Sequence, residues 1–214
     1  TGDPKIWEYA SQEIKAAMKA SGKKFVEGVG EAAFYGPKID IQVKNTHGKE
    51  ETIATSQVDV VVPARLGMKY VDEKGQDQTP IVIHRAIIGS FERFIGFLLE
   101  QTEGKLPLWL SPRQVRVISF TDRNAKATEK VAAQLREAVP GLKVDTDMRS
   151  DTVQAKIRDA EMLKVNYTLV IGDKEEEKKT LAVRARGSSK PEFGVKLEAF
   201  VKQLKKEINA HREL

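Results

Sequence analysis

The sequence predicts two domains of different class: a mainly antiparallel α+β half over residues 1–111 and a mixed, mainly parallel α/β half over residues 112–214. Three observations carry this. Apolar residues alternate in short runs through the first half, as in strands with one buried face. Continuous apolar strands alternate with amphipathic helices in the second half, as right-handed crossovers require. Between them, residues 106–112 hold Pro107, Trp109 and Pro112, a stiff connection where one rhythm stops and the other begins.

Residues 5–20 read as a helix, with Ile6, Tyr9, Ala10, Ile14, Ala17 and Met18 near i, i+3, i+4 spacing and Gly22 as a stop. Residues 25–33 are glycine-rich and extended. Ile39, Ile41 and Val43 alternate along a strand over 38–44, and residues 45–49 turn around Gly48 into a second strand over 51–62. Pro63 to Gly67 breaks the hairpin. Two short strands, 69–71 and 79–83, flank a polar turn at 72–77. Residues 89–101 form a helix that is apolar nearly all round (Phe91, Phe94, Ile95, Phe97, Leu98, Leu99), which predicts a buried helix.

In the second half, strands are expected over 115–120, 142–145, 167–171 and 180–186. Helices are expected over 124–138, 151–163 and 193–211, with a charged turn at 172–179. Ala125, Val131, Leu135 and Ala138 stripe the first helix; Val153, Ile157, Ala160 and Leu163 stripe the second, which leaves Lys156 and Arg158 away from the apolar stripe.

Composition narrows the function. The chain has 214 residues, 40% of them hydrophobic, and no cysteine, so thiolate chemistry and disulfides are excluded within it. No apolar run approaches the roughly 20 residues of a membrane-spanning helix, and no signal peptide is visible, which leads us to expect a cytoplasmic protein without a membrane partner. The chain does not begin with methionine, as expected of a piece of something longer. Net charge is −1 over residues 1–111 and +6 over 112–214. A basic domain beside a neutral one suggests a polyanionic partner for the basic part, although a lysine-rich solvated surface has the same composition.

The chemistry concentrates in Ile83-His84-Arg85-Ala86-Ile87-Ile88-Gly89-Ser90-Phe91-Glu92-Arg93. A strand runs into a Gly-Ser turn and then an apolar helix, with Arg93 in its first turn. A guanidinium there can stack on a nucleobase and bond a phosphate, or pair with Glu92 to close the helix. Gly89 leaves room for a ligand near the backbone. His84 is either a packed histidine or a neutral imidazole able to bind a metal. His47 and His211 read as solvent-exposed.

Gly89-Ser90-Phe91-Glu92-Arg93 resembles motif 3 of class II aminoacyl-tRNA synthetases. Upstream, Ala33-Phe34-Tyr35-Gly36-Pro37-Lys38-Ile39-Asp40 is similar to a signature of the threonyl-tRNA synthetases, as are residues 80–89 and 106–112. The resemblance covers essentially the whole chain. It implies a fold made of the C-terminal portion of a class II catalytic domain (residues 1–111) and an anticodon-binding domain (residues 112–214). The activity implied is that of a threonine–tRNA ligase acting on threonine, ATP with Mg2+, and tRNA(Thr). The complete enzyme would be a homodimer.

The resemblance also implies site residues. Tyr35, Gln57 and Ser90 would bind substrate; Lys38, Gln57 and Arg93 would bind ATP, with Lys38 and Arg93 catalytic by charge neutralisation. His84 would be one of three protein ligands to a zinc ion, the other two and motifs 1 and 2 lying upstream of Thr1. Thr52 stands where many members have glutamine. In the second domain Ser150, Lys156, Glu175 and Arg184 would contact the anticodon. Ser150 and Thr152 stand where many members have asparagine and lysine. Alternation also places Arg184 and Arg186 on one face of their strand. This chain alone is expected not to aminoacylate. The competing readings are a non-catalytic anticodon-binding module and a prolyl or glycyl relative, which His84 in its Ile-His-Arg-Ala-Ile setting disfavours.

Overall fold

The computed structural model describes residues 3–210, so the expectation for His211 lies outside the described residues. The chain divides into two compact units, residues 1–101 and 102–214.

In the first unit, helix α1 (Pro4–Ala20) starts where Asp3 accepts the Lys5 amide and Pro4 supplies a preset φ. A loop then leads into β1 (Lys38–Lys44), which turns back into β2 (Glu50–Asp59). Asn45 makes that turn: its carboxamide oxygen accepts the His47 and Lys49 amides, and Gly48 takes positive φ. His47 is 86% exposed, as expected. A short helix α2 (Val62–Arg65) and a two-residue ribbon, β3 (Tyr70–Val71) with β4 (Asp77–Gln78), precede β5 (Val82–Ala86). The sheet order is β1-β2-β5, all antiparallel. The predicted strand over 79–83 therefore moves: Pro80 has no amide to donate, and pairing begins at Val82.

Helix α3 (Phe91–Thr102) corrects a prediction. It forms where expected, yet none of its residues is fully buried, and Phe91 is 70% exposed. Its apolar residues set what the helix can bury. Its surroundings decide what it does bury, and no described element covers Phe91, Ile95 and Leu99.

The second unit carries the main core. Its sheet runs β10-β9-β8-β6-β7. Strands β6 (Val115–Ser119), β7 (Val144–Asp147) and β8 (Tyr167–Ile171) are parallel, while β9 (Thr180–Ala185) and β10 (Glu192–Lys196) add on antiparallel. Helices α4 (Ala125–Ala138), α5 (Val153–Met162) and α7 (Leu197–Asn209) bury Leu135, Ala160, Phe200 and Leu204. Val115, Val117 and Leu169 between them are fully buried, the near-continuous apolar pattern of a strand covered on both faces.

Two expectations change here. The turn expected at 172–179 is a helix, α6 (Asp173–Lys178), because Glu175 reaches back to the Gly172 amide and acidic residues fill the first turn. The helix expected from 193 is preceded by β10, since Glu192, Val195 and Lys196 pair with β9 and the helix begins only at Leu197.

Candidate functional site

The first site lies on one face of the β1-β2-β5 sheet. Lys38 pairs with Gln57, and Gln57 with His84, so the three residues form one row across the sheet. Residues in such a row point to the same side. Asp40 and Thr55 form the next row, joined by a 2.8 Å hydrogen bond from the threonine hydroxyl. Lys38 also pairs with Asp40.

Strict alternation would put Thr52 on the opposite face. A bulge prevents this: Ile41 pairs with Ala54 but Gln42 with Thr52, leaving Ile53 as an extra residue. Thr52 thereby rejoins the polar face, and Gln42 donates to its hydroxyl at 2.8 Å. Gly89 packs against the Ile53 carbonyl, where a Cβ would sit 3.1 Å from the oxygen, and its φ of 61° is a left-handed value that suits glycine. Ser90 then caps α3 by accepting the Arg93 amide at 3.2 Å. Arg93 itself is exposed and lines a shallow hollow of about 380 Å³ with Lys49, Glu50, Glu51 and Thr52. The polar face thus has an imidazole at one end and a guanidinium at the other.

At the imidazole end, the segment before β1 runs alongside β2, with Val60 donating to Tyr35 and Val58 to Pro37. Gly36 is obligatory because a Cβ there would overlap the Val58 carbonyl. Its own carbonyl accepts from Gln57, which is buried. The Tyr35 ring stands edge-on to His84, centroids 5.9 Å apart.

His84 Nε2 lies 2.9 Å from Asp59 Oδ2. Asp59 was not singled out from sequence. Burial pushes its carboxyl up, but bonds from His84 and from the Val61 and Val62 amides outweigh that, and its pKa lies below the usual carboxylate value. An aspartate two residues after Gln57 and directly before the apolar run Val60-Val61-Val62 was the available signal.

The donor chemistry at His84 suits zinc in part. The ring is half-exposed, and one nitrogen is held by a carboxylate, as zinc-bound histidines commonly are. No group of three His, Cys, Asp or Glu side chains able to hold a metal occurs among the described residues, so His84 could supply one ligand and no more.

The second set of expected residues lies in the other unit on separate elements: Ser150 before α5, Glu175 in α6 and Arg184 on β9. Arg184 pairs with Glu161 at 3.0 Å, and its Nε is buried without a partner in the described structure. Ser150 is exposed in the bend before α5, and Thr152 caps that helix by accepting the Ala155 amide. Glu175 spends one carboxylate oxygen on the Gly172 cap.

Lys156 contradicts its expected place. It is 1% exposed, and its Nζ donates to the carbonyl and hydroxyl oxygens of Ser119 at 3.0 and 3.3 Å. The buried line of α5 is Lys156 and Ala160; the lysine stem lies in the core while its ammonium satisfies the end of β6. It is no RNA contact in this arrangement. Arg186 points elsewhere than Arg184: it donates to the Leu106, Lys164 and Lys105 carbonyls and clamps backbone.

Comparison with known proteins follows this division. Residues 5–102 match the tRNA synthetase class II core domain (G, H, P, S and T), and residues 114–207 match the anticodon binding domain family. The chain therefore joins a segment of a class II tRNA synthetase core to an anticodon-binding domain. Its sequence is 43% identical over 209 residues to the threonine–tRNA ligase of Polynucleobacter asymbioticus, covering 97% of this chain and 32% of that one. Against the threonine–tRNA ligase of Burkholderia mallei the identity is 41% over 212 residues, 99% of this chain and 33% of that one.

Among solved structures, the RNA binding domain of threonyl-tRNA synthetase from Cryptosporidium parvum superposes with a TM-score of 0.87 at 34% identity, covering 97% of this chain and 52% of that one. A prolyl-tRNA synthetase from the same organism shares the fold at 20% identity, with a TM-score of 0.68 over 86% of this chain and 39% of that one. Both halves thus match class II tRNA synthetase domain families, and the relatives matched across nearly the whole chain are threonine–tRNA ligases. It spans about a third of the length of the curated relatives it matches.

Proposed function

We propose that this chain supplies the motif 3 side of the amino-acid and nucleotide site, and the anticodon-reading domain, of a threonine–tRNA ligase. The observation that carries this reading is the single polar face bearing Lys38, Gln57 and His84 in one row, with Arg93 beside Thr52.

In this reading the nucleotide occupies the Arg93 end. The guanidinium stacks on adenine and bonds the γ-phosphate, with Mg2+ accompanying ATP. Threonine occupies the His84 end, its amino group near Tyr35. A carboxylate oxygen of threonine attacks the α-phosphorus, the bond to the bridging oxygen breaks, and pyrophosphate leaves. A hydroxyl of the terminal ribose of tRNA then attacks the acyl carbon, and AMP leaves. Lys38 offsets charge on the transferring group, and Gln57 lines the site. No side chain acts as nucleophile; orientation and charge neutralisation do the work. His84 would contribute one ligand to a zinc ion, whose chemistry when bound is to hold the amine and hydroxyl of threonine and so reject valine.

In the anticodon domain, Arg184 would offer a donor and Glu175 an acceptor to base edges, and Ser150, exposed in the bend before α5, a further contact. Recognition of an anticodon loop is the part of the activity this chain would retain alone. A threonine anticodon stem-loop should bind it more tightly than one with a scrambled loop. Threonine-dependent ATP–pyrophosphate exchange should appear only in a full-length enzyme carrying this sequence. Equal binding of both loops would defeat the anticodon assignment, and exchange with the isolated chain would defeat the division of labour.

A further inference from the structure

The pair at the end of β2 has a consequence for the chemistry of the imidazole. Asp59 is the last residue of β2, and its side chain is 2% exposed. Its two oxygens have different partners. Oδ1 accepts the backbone amides of Val61 and Val62 at 3.0 and 2.8 Å. Oδ2 faces His84 Nε2 at 2.9 Å. Two backbone donors fix the carboxylate plane, so it cannot turn away from the ring without abandoning them. An ionised carboxylate has no proton to donate.

We propose that Asp59 is the positioning residue of the His84 site: it holds the neutral ring as the Nε2–H tautomer and leaves Nδ1 as the lone pair offered to the site. No hydrogen bond reaches Nδ1 among the described residues, and the Tyr35 ring stands edge-on to the imidazole at 5.9 Å. A purely stabilising role accounts for this geometry less well. An ion pair with a half-exposed histidine contributes little, whereas a buried acceptor anchored by two amides is the arrangement that selects a tautomer. The inference deepens the metal reading above, since it names the ring atom that would meet the ligand. Its test does not require a metal.

The test is nitrogen NMR of 15N-labelled imidazole in the metal-free chain, at a pH high enough to leave the ring neutral. The chain has three histidines, so assignment is direct. The expected result is a pyrrole-type Nε2 and a pyridine-type Nδ1 at His84. The variant Asp59→Asn is the sharper experiment. Its carboxamide oxygen can keep the two backbone amides, which turns its NH2 group toward Nε2. The tautomer should then invert, with the proton on Nδ1.

A wild-type ring protonated on Nδ1 would overturn the proposal, and so would a folded Asp59→Asn variant with the wild-type tautomer. The wild-type spectrum decides even where the variant does not fold. Zinc is a separate measurement: in a full-length enzyme carrying this sequence, Asp59→Asn should weaken zinc binding by about 10–100-fold. Absence of zinc from the unmodified enzyme would strike the metal reading alone and leave the tautomer result standing.

Discussion

Asp59 and Asp147 are acids whose native partners are donors: His84 and two amides for the first, Arg149 at 2.7 Å for the second. Both carboxyls are held below their ordinary pKa, Asp59 by bonds that outweigh its burial and Asp147 chiefly by the arginine. A depressed folded pKa contributes stability above the unfolded value of about 3.9, and that stability is lost as pH falls through the folded value. Denaturation of the chain should therefore become easier as pH drops below about 4. Asp59→Asn should be less stable than wild type at neutral pH by about 1–3 kcal/mol, with the gap narrowing in acid, as urea titrations at several pH values would show. A gap independent of pH would mean that the charge of Asp59 is not what stabilises.

At this scale the sequence was partly legible. His84, Gln57 and Lys38 stand out by type and by the motifs around them. Asp59 does not, because its importance lies in partners brought together by strand pairing and by the first turn of α2.

Among elements, α5 shows how a pattern can mislead. A lysine at position 156 looks solvated on composition, since charged residues are rarely buried. Its stem is long enough to lie between helix and sheet and deliver the ammonium to Ser119. Lys156→Met should leave two Ser119 oxygens without that donor and cost about 1–3 kcal/mol in thermal or urea unfolding. It should not change the salt dependence of anticodon-loop binding. Arg158→Ala, on an exposed position of the same helix, should lower that slope by about one if Arg158 meets a phosphate. A lower slope in the Lys156 variant would restore lysine 156 as an RNA contact. Helix α3 misleads in the opposite direction: its apolar character was plain, but whether anything covers it depends on chain that its own residues do not encode.

For the molecule as a whole, the distribution of buried side chains is uneven. Among the described residues, apart from Ala10, Ala54, Val61 and Pro63, the buried apolar side chains belong to the second unit, including Leu135, Leu169, Phe200 and Leu204. The first unit leaves Ile83, Ile87 and Phe91 more than half exposed. Stability follows apolar area removed from water. Unfolding in urea should thus occur in two steps, the first unit opening at lower concentration, and limited proteolysis should leave a resistant fragment close to residues 102–214. One coincident transition by tryptophan fluorescence and circular dichroism would contradict this, since Trp7 and Trp109 report on different units. The α/β rhythm of the second half was readable because its strands and helices complete their own core. The first half was readable as strands, but its exposure was not.

The extra residue in β2 has a practical implication for anyone engineering substrate preference. Randomising every second codon along that strand samples the cleft only if the count changes phase at Ile53: 57 and 55 above it, 52 below. Deleting Ile53 would straighten the ladder and still leave Thr52 opposite Gln42 on the same face, so the kink can be removed without changing which side chains share that face.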